Sequence, residues 1–326
     1  MNTIAPELVE RFRADLAQLW AAIDSDDARL GLAVSGGGDS LALLLLAHAA
    51  LPGRIEVGTV DHGLRAGSAQ EAAFVAQCCE DLAVPCRILS VTVPPGNLQE
   101  RAREARYEAL ARWCEERGLA GLATAHQLDD QAETLLMRLN RGSGLSGLSG
   151  IRPRQALGDM GAALVRPLLG WRRTELAQIV AAAGWHAVAD PSNDDPRFDR
   201  VRLRRALTGA DWLDPVGIAR SAALLEEAEG ALAWAAGKEI AAQVSFADGE
   251  ARYAARASDA PALIRCEAIC SIYRAFGQPI ARSLAARIVA RLIAGEAGNA
   301  GGLHYRAEGE GDRQVWIFRR ENPRGR

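Results

Sequence analysis

Between an apolar run, Leu30–Val34, and a longer one, Leu41–Ala50, stands the segment Ser35-Gly-Gly-Gly-Asp-Ser40, and it narrows the possible folds more than any other stretch. The first run has the length of a buried strand, and the second reads as a strongly apolar helix. A glycine turn at that junction aims several backbone N–H groups and the positive end of the helix dipole at one point, as a phosphate requires. The hydroxyls of Ser35 and Ser40 add donors, and the Asp39 carboxylate can hold Mg2+ against phosphate oxygens. Ser35, Gly36, Gly37, Gly38, Asp39 and Ser40 are therefore candidate nucleotide-binding residues. A Walker-type loop is excluded, because it requires G-x-x-x-x-G-K-[ST] and the sole lysine of the chain is Lys238. A dinucleotide fingerprint is excluded too, since Ser40 and Leu41 stand where its third glycine belongs. The bland alternative is an ordinary glycine-rich connection between strand and helix.

A chain of 326 residues exceeds what one core ordinarily organises, so two domains are expected. With 49% hydrophobic and 24% charged residues, the balance is that of a soluble globular protein. The longest apolar stretch, Leu41–Leu51, is interrupted by His48 and is too short to span a bilayer. Met1–Glu10 has no basic segment of the kind that opens a secretory signal. Cys78, Cys79, Cys86, Cys114, Cys266 and Cys270 show no C-x-x-C spacing and read as thiols of a cytoplasmic protein.

The first two hundred residues alternate strand and helix. After the first unit come a strand at Arg54–Val60 and a helix Ala69–Leu82, with Ser68 and Glu71 placed for a capping box. A strand Cys86–Val93, a helix Leu98–Arg117, a strand Leu119–Ala125 and a helix starting at Asp129 follow. This order predicts a parallel sheet with ligands beyond the carboxyl ends of its strands. Ser35–Ser40, Asp61–Arg65 and His126–Glu133 all follow strands, so the topology brings them to one edge. Beyond Asp190 the pattern changes to a helix Val216–Ala236, a hairpin around Asp248-Gly249, helices Ala260–Phe276 and Ala281–Ala294, and strands Leu303–Ala307 and Gln314–Phe318. The expected fold is α/β: a parallel-sheet nucleotide-binding domain over residues 1–211, then a helical linker and a smaller α+β domain over 212–326.

The net charge of −3 conceals a concentration of arginine. Between Thr134 and Thr174 the only acid is Asp159, against Arg138, Arg141, Arg152, Arg154, Arg166, Arg172 and Arg173. A second group, Arg197, Arg200, Arg202, Arg204 and Arg205, is relieved only by Asp199. Such clusters offer a polyanion one basic face; a solvated arginine-rich surface is the equally open alternative. In His126-Gln-Leu-Asp-Asp-Gln-Ala-Glu133, helical spacing lets Asp129, Asp130 and Glu133 share a face. One acid there is accounted for as a helix N-terminal partner. Three can also share Mg2+ with Asp39 or accept the ammonium group of an amine. In Arg141-Gly-Ser-Gly-Leu-Ser-Gly-Leu-Ser-Gly-Ile151, the placement of Leu145, Leu148 and Ile151 favours a folded loop over a linker. Arg200 and Arg204, four apart, would repel one another without an anion between or above them.

With these segments in place, the chain resembles the bacterial tRNA(Ile)-lysidine synthetases, within the N-type ATP pyrophosphatase (PP-loop) superfamily. Ser35–Ser40 is similar to the superfamily's S-G-G-x-D-S. The family-level resemblance lies in Asp61-His62-Gly63-Leu64-Arg65, Asp129–Thr134, Arg141-Gly-Ser-Gly with Gly147-Leu-Ser-Gly-Ile151, and Asp190-Pro-Ser-Asn193. It covers roughly Leu32–Arg204. Two positions depart from the pattern: Gln127 stands where the family has a second histidine, and Val201 where it has an asparagine.

The resemblance implies lysine transfer to C2 of the wobble cytidine in the CAU anticodon of tRNA(Ile). ATP adenylates the base and releases pyrophosphate, and the lysine ε-amine then expels AMP. It further implies that Ser35–Ser40 cradle pyrophosphate and that Asp39, Asp130 and Glu133 hold Mg2+ or the amine. His126 or a carboxylate would take the amine proton, and Arg204, with Arg200, would balance charge on the α-phosphoryl group. Val60, with His62 and Arg65 beyond the second strand, would contact the nucleotide. The implied partners are ATP, Mg2+, free L-lysine and tRNA(Ile), without a membrane, and a homodimer is compatible. The C-terminal domain would clamp the tRNA through Arg282, Arg287 and Arg291.

Three other readings remain. A tRNA thiolase needs a persulfide cysteine or an iron–sulfur cluster, for which the cysteines are poorly placed. A ligase of the GMP or NAD synthetase type has no use for the arginine belt. A catalytically silent RNA-binding protein has no use for Asp39, Asp130 and Glu133.

Overall fold

The computed structural model describes residues 4–63, 67–94, 96, 98–158, 162–188, 199–309 and 311–321, the side chains of Leu98, Gln99, Thr208 and Asp312 excepted. The chain divides into two compact units, Met1–Glu226 and Glu227–Arg326. The first unit is built on a six-stranded sheet. Its strands are β1 (Leu30–Ala33), β2 (Ile55–Asp61), β3 (Cys86–Ser90), β4 (Gly121–Ala123), β5 (Arg154–Ala156) and β6 (Ala163–Val165). Their spatial order is β3-β2-β1-β4-β6-β5, parallel throughout except for β5, which runs antiparallel to β6 at the edge. The order reverses between β1 and β4, and an open sheet of this kind holds its ligands at such a switch point.

The helices of this unit are α1 (Pro6–Leu19), α2 (Gly38–Ala50), α3 (Ser68–Asp81), α4 (Leu98–Arg117), α5 (Leu128–Asn140), the short α6 (Leu145–Leu148), α7 (Arg173–Ala182) and α8 (Asp199–Thr208). Buried residues line every side of α2, Leu41 through Ala47 without a break, because it is packed between the sheet, α1 and α7. On the opposite face, Trp113 of α4 lies against the strands so closely that a Cβ at Gly58 would stand 2.9 Å from its ring. Glycine is there to let the indole in. Ser68, expected as a cap, is instead the first residue of α3 and donates its hydroxyl to Asp61 Oδ1 at 2.5 Å.

α9 (Pro215–Gln243) runs through the unit boundary. The second unit is an antiparallel sheet of order β7-β8-β11-β10-β9. Its strands are β7 (Val244–Ala247), β8 (Glu250–Tyr253), β9 (Gly298–Ala300), β10 (Leu303–Glu308) and β11 (Val315–Arg320). Positive φ at both Asp248 and Gly249 closes the β7–β8 hairpin tightly, as its two-residue turn requires. Helices α10 (Ala262–Ala275) and α11 (Arg282–Ile293) share a core with Tyr253, Tyr305, Trp316 and Phe318. On α11, Arg282 pairs with Glu267 and Arg291 with Glu296, while Arg287 forms no ion pair among the described residues.

Candidate active site

The glycine turn forms at the carboxyl end of β1. Val34 N–H reaches Gly58 O at 3.2 Å and carries the ladder up to the turn. Gly36 then adopts φ +83°, a conformation that costs little only without a side chain. Gly37 caps α2 in an extended conformation, and Leu41 N–H to Gly37 O is the helix's first bond. The amides of Gly38, Asp39 and Ser40 are thereby left without an intrahelical acceptor at the positive helix end. Ser40 is buried, donates to Gly37 O at 2.8 Å and accepts Ser35 N–H at 3.1 Å. Its hydroxyl is a strut inside the turn and not a free phosphate donor, contrary to the sequence expectation. The backbone amides of the turn are the donors left over for a phosphate.

Asp39, the second residue of α2, leans toward the start of α5. There Gln127, fully buried, accepts Asp129 N–H, while Asp130 accepts Gln127 N–H at 3.2 Å. Gln127 is thus the reciprocal N-cap of α5, which gives the departure from the family pattern a local role. Its Nε2 faces Asp39 without completing a hydrogen bond of normal geometry. Asp129 turns away to accept Arg173 N–H at 2.9 Å.

Three arginines neutralise the remaining carboxylates. Glu133, 1% exposed, accepts Arg204 Nε at 2.8 Å and Arg200 Nε at 2.7 Å. Asp130 accepts Arg200 at 3.0 Å. The Arg173 guanidinium lies 3.8 Å from Asp39, 3.5 Å from Asp130 and 3.6 Å from Glu133. Arg200 and Arg204 therefore tolerate each other because Glu133 lies between them, so the anion expected there is supplied by the protein itself. Sequence reading missed Arg173 as a site residue, counting it only as one arginine of a belt. Its position as first residue of a helix was the available signal.

Burial pushes Asp39 up to about 6, a neighbouring Asp130 adds to the rise, and Arg173 opposes it. Burial also raises Asp130, against the pull of Arg200. Glu133 is buried as well, yet the bonds from Arg204 and Arg200 hold it below its ordinary range. Among the described residues, no group of three His, Cys, Asp or Glu side chains could hold a metal ion. The sequence expectation of Asp39, Asp130 and Glu133 as common ligands is corrected on that ground: arginines already occupy Glu133 and Asp130. Asp39 has the loosest arginine contact of the three, 3.8 Å from Arg173, and one carboxylate together with substrate phosphates is a usual way to hold Mg2+.

His126 follows β4. Its Nδ1 accepts Arg166 Nε at 3.3 Å and lies 3.1 Å from Thr124 Oγ1, so the proton of the neutral ring sits on Nε2. Burial, then the charges of Arg166, Arg103, Arg200 and Arg106, press its pKa down to about 3. A ring so weakly basic is no proton acceptor near neutral pH, which corrects its expected role as base; it presents an N–H instead. Val60, in β2, packs on the cluster of Leu110 and Trp113, leaving backbone at the strand end. His62 lies just beyond it, half-buried, whereas Arg65, Leu64, Asp190–Asn193 and Arg197 fall outside the described residues. The folded-loop expectation for residues 141–151 holds: Arg138 donates to Gly147 O and Gly150 O, and Gln131 pairs with both backbone groups of Ile151.

The PP-loop domain family matches residues 8–210. The tRNA(Ile)-lysidine synthase of Novosphingobium aromaticivorans is 52% identical over 227 residues, which cover 69% of this chain and 68% of that protein. The corresponding protein of Zymomonas mobilis subsp. mobilis is 47% identical over 221 residues, 66% of this chain and 67% of its own. The chain belongs to the tRNA(Ile)-lysidine synthase family. It is an enzyme of that family with an ATP-binding PP-loop domain. Among solved structures, the U34-tRNA thiolase NcsA from Methanococcus maripaludis, with its [4Fe-4S] cluster, is similar with a TM-score of 0.54 and 18% identity. That likeness covers 67% of this chain and 79% of the other and is one of fold. Among the described residues, no helix is long and apolar enough to cross a membrane.

Proposed function

We propose that this lysidine synthase family member joins lysine to C2 of the wobble cytidine in the CAU anticodon of tRNA(Ile), converting ATP to AMP and pyrophosphate. The observation that carries the reading is the juxtaposition of the glycine cradle with carboxylates that the protein neutralises with its own arginines. Such a pocket can exchange partners. An incoming lysine ammonium replaces a guanidinium on Asp130 and Glu133, and the released Arg200 or Arg204 meets phosphoryl charge.

The cytidine oxygen at C2 attacks the α-phosphorus, and pyrophosphate leaves into the amides of Gly38, Asp39 and Ser40. Asp39 would hold Mg2+, which when bound draws off charge from the phosphates. The lysine Nε then forms its bond to C2 as the C2–O bond to AMP breaks. Asp130, held above the ordinary carboxylate range, is the group suited to take the amine proton. His126 donates through Nε2 and keeps no charge of its own. Residues 1–211 carry this chemistry in the proposal, and 212–326 the remaining tRNA contacts, for which Arg287, without an ion pair among the described residues, is available on α11. Incubation with this tRNA, ATP and lysine tests the reading by mass spectrometry of the nucleosides. The expected product is a cytidine heavier by one lysine less one water. Unmodified cytidine, with the wild-type chain folded and ATP bound, would refute it.

A further inference from the structure

Three arginines in the first unit stand close together without a counter-ion among the described residues. Arg103 and Arg106 lie in the amino-terminal half of α4 and flank the ring of Tyr107, their guanidinium carbons 4.9 and 5.3 Å from its centroid. Arg166 directly follows β6; it is 2% exposed and donates to His126 Nδ1, to Arg152 O and to Gln155 Oε1. None of the three forms an ion pair among the described residues, unlike Arg173, Arg200 and Arg204 a few residues away in the fold. The Tyr107 hydroxyl, also buried, completes no hydrogen bond of normal geometry. The joint effect reaches His126, whose charged form is disfavoured by Arg166, Arg103 and Arg106 together.

Like charges held near a buried hydroxyl and a neutral imidazole make a place that favours an anion. We propose that Arg103, Arg106 and Arg166, with Tyr107, form a binding site for a phosphodiester group of the RNA that this enzyme modifies. The site rests on the function proposed above. Sheet order separates it from the nucleotide cradle: the glycine turn follows β1, His126 follows β4 and Arg166 follows β6. Two strand spacings amount to about 10 Å, so the phosphates held in the glycine turn belong to a different place. Arg103 and Arg106 are exposed, open to a polymer approaching from outside. A phosphate seated there would leave its neighbouring nucleotide beside His126, where the carboxylates begin.

The test is the double variant Arg103→Ala/Arg106→Ala in the full chain, with Arg103→Lys/Arg106→Lys as the charge-retaining partner. Arg166 is left alone because its backbone contacts support the fold. Binding of a tRNA(Ile) anticodon stem-loop is measured by fluorescence anisotropy over a salt series, and ATP binding by calorimetry. The alanine pair is expected to weaken RNA binding about tenfold and to flatten the plot of log K against log salt by about 1.4, two charges' worth on single-stranded RNA. The lysine pair keeps most of that slope, and ATP affinity stays within about twofold in both variants. An unchanged slope in the alanine pair overturns the site while leaving the proposed function standing. Weaker ATP binding with RNA binding intact also overturns it, by assigning the cluster to the nucleotide. A wild-type chain that binds no RNA sinks both.

Discussion

Asp39→Asn is expected to stabilise the protein while removing its activity. The buried carboxylate titrates at about 6 instead of 3.8, so the folded state resists its charge. A displacement of that size corresponds to roughly 3 kcal/mol against the ionised form. The side chain is 28% exposed, which screens part of this and leaves about 1–2 kcal/mol. Arg173 is not orphaned by the change, since Asp130 and Glu133 remain within 3.6 Å. In a unit of 226 residues, such a gain raises Tm by about 2–8 °C. The sign follows from linkage. Below about pH 4 the group is protonated in both states and contributes nothing. Between about 4 and 6 the unfolded chain ionises first, so stability falls as pH rises; above about 6 the loss is complete. Urea titrations of wild type and variant at several pH values measure the difference. The reasoning fails if the variant is less stable than wild type at pH 7, or if the slope between pH 4 and 6 survives the substitution.

Glu133→Gln acts in the opposite direction. It removes the carboxylate between Arg200 and Arg204 and leaves Arg200 only Asp130, and about 2–3 kcal/mol should be lost, the lower side of what breaking a buried pair costs because both arginines reach water and Arg200 keeps one partner. Chemical denaturation near neutral pH checks this; the pair's contribution disappears as acid protonates Glu133 below its ordinary range. Gly58→Ala forces a methyl to 2.9 Å from the Trp113 ring and should cost about 1–3 kcal/mol, read from the denaturant midpoint. Gly36→Ala meets only ordinary contacts at 3.5 Å, so its cost of about 1–2 kcal/mol comes from the left-handed backbone. Relaxation of that turn should weaken ATP binding in calorimetry.

Much of this fold is legible because its signals are local. The apolar run at Leu30, the three glycines and the uniformly apolar helix behind them define the central βα unit, and α4 falls where its amphipathic spacing places it. β5 and β6 escape because three-residue strands carry too little periodicity to read, and β9 escapes likewise. The candidate site is legible in its carboxylates and not in their partners. Asp130 and Glu133 announce themselves by spacing, but the helix start at Arg173 does not by itself say that its guanidinium will span three acids contributed by two other helices. The opposite holds for Ser40, whose hydroxyl suggests a ligand in sequence and serves as an internal brace in the fold. His126 is a third case. Its identity suggests a base, and only its burial among arginines shows that the ring stays neutral.

The decisive measurement is the fate of ATP when the full chain is supplied with tRNA(Ile) bearing the CAU anticodon. Nucleotide and phosphate products are separated by chromatography with lysine present and absent. The expected result is pyrophosphate release with the RNA alone, the adenylate staying on the base, and then stoichiometric AMP together with lysine-modified tRNA once lysine is added. ADP and orthophosphate, or cleavage that proceeds equally without RNA, would contradict it.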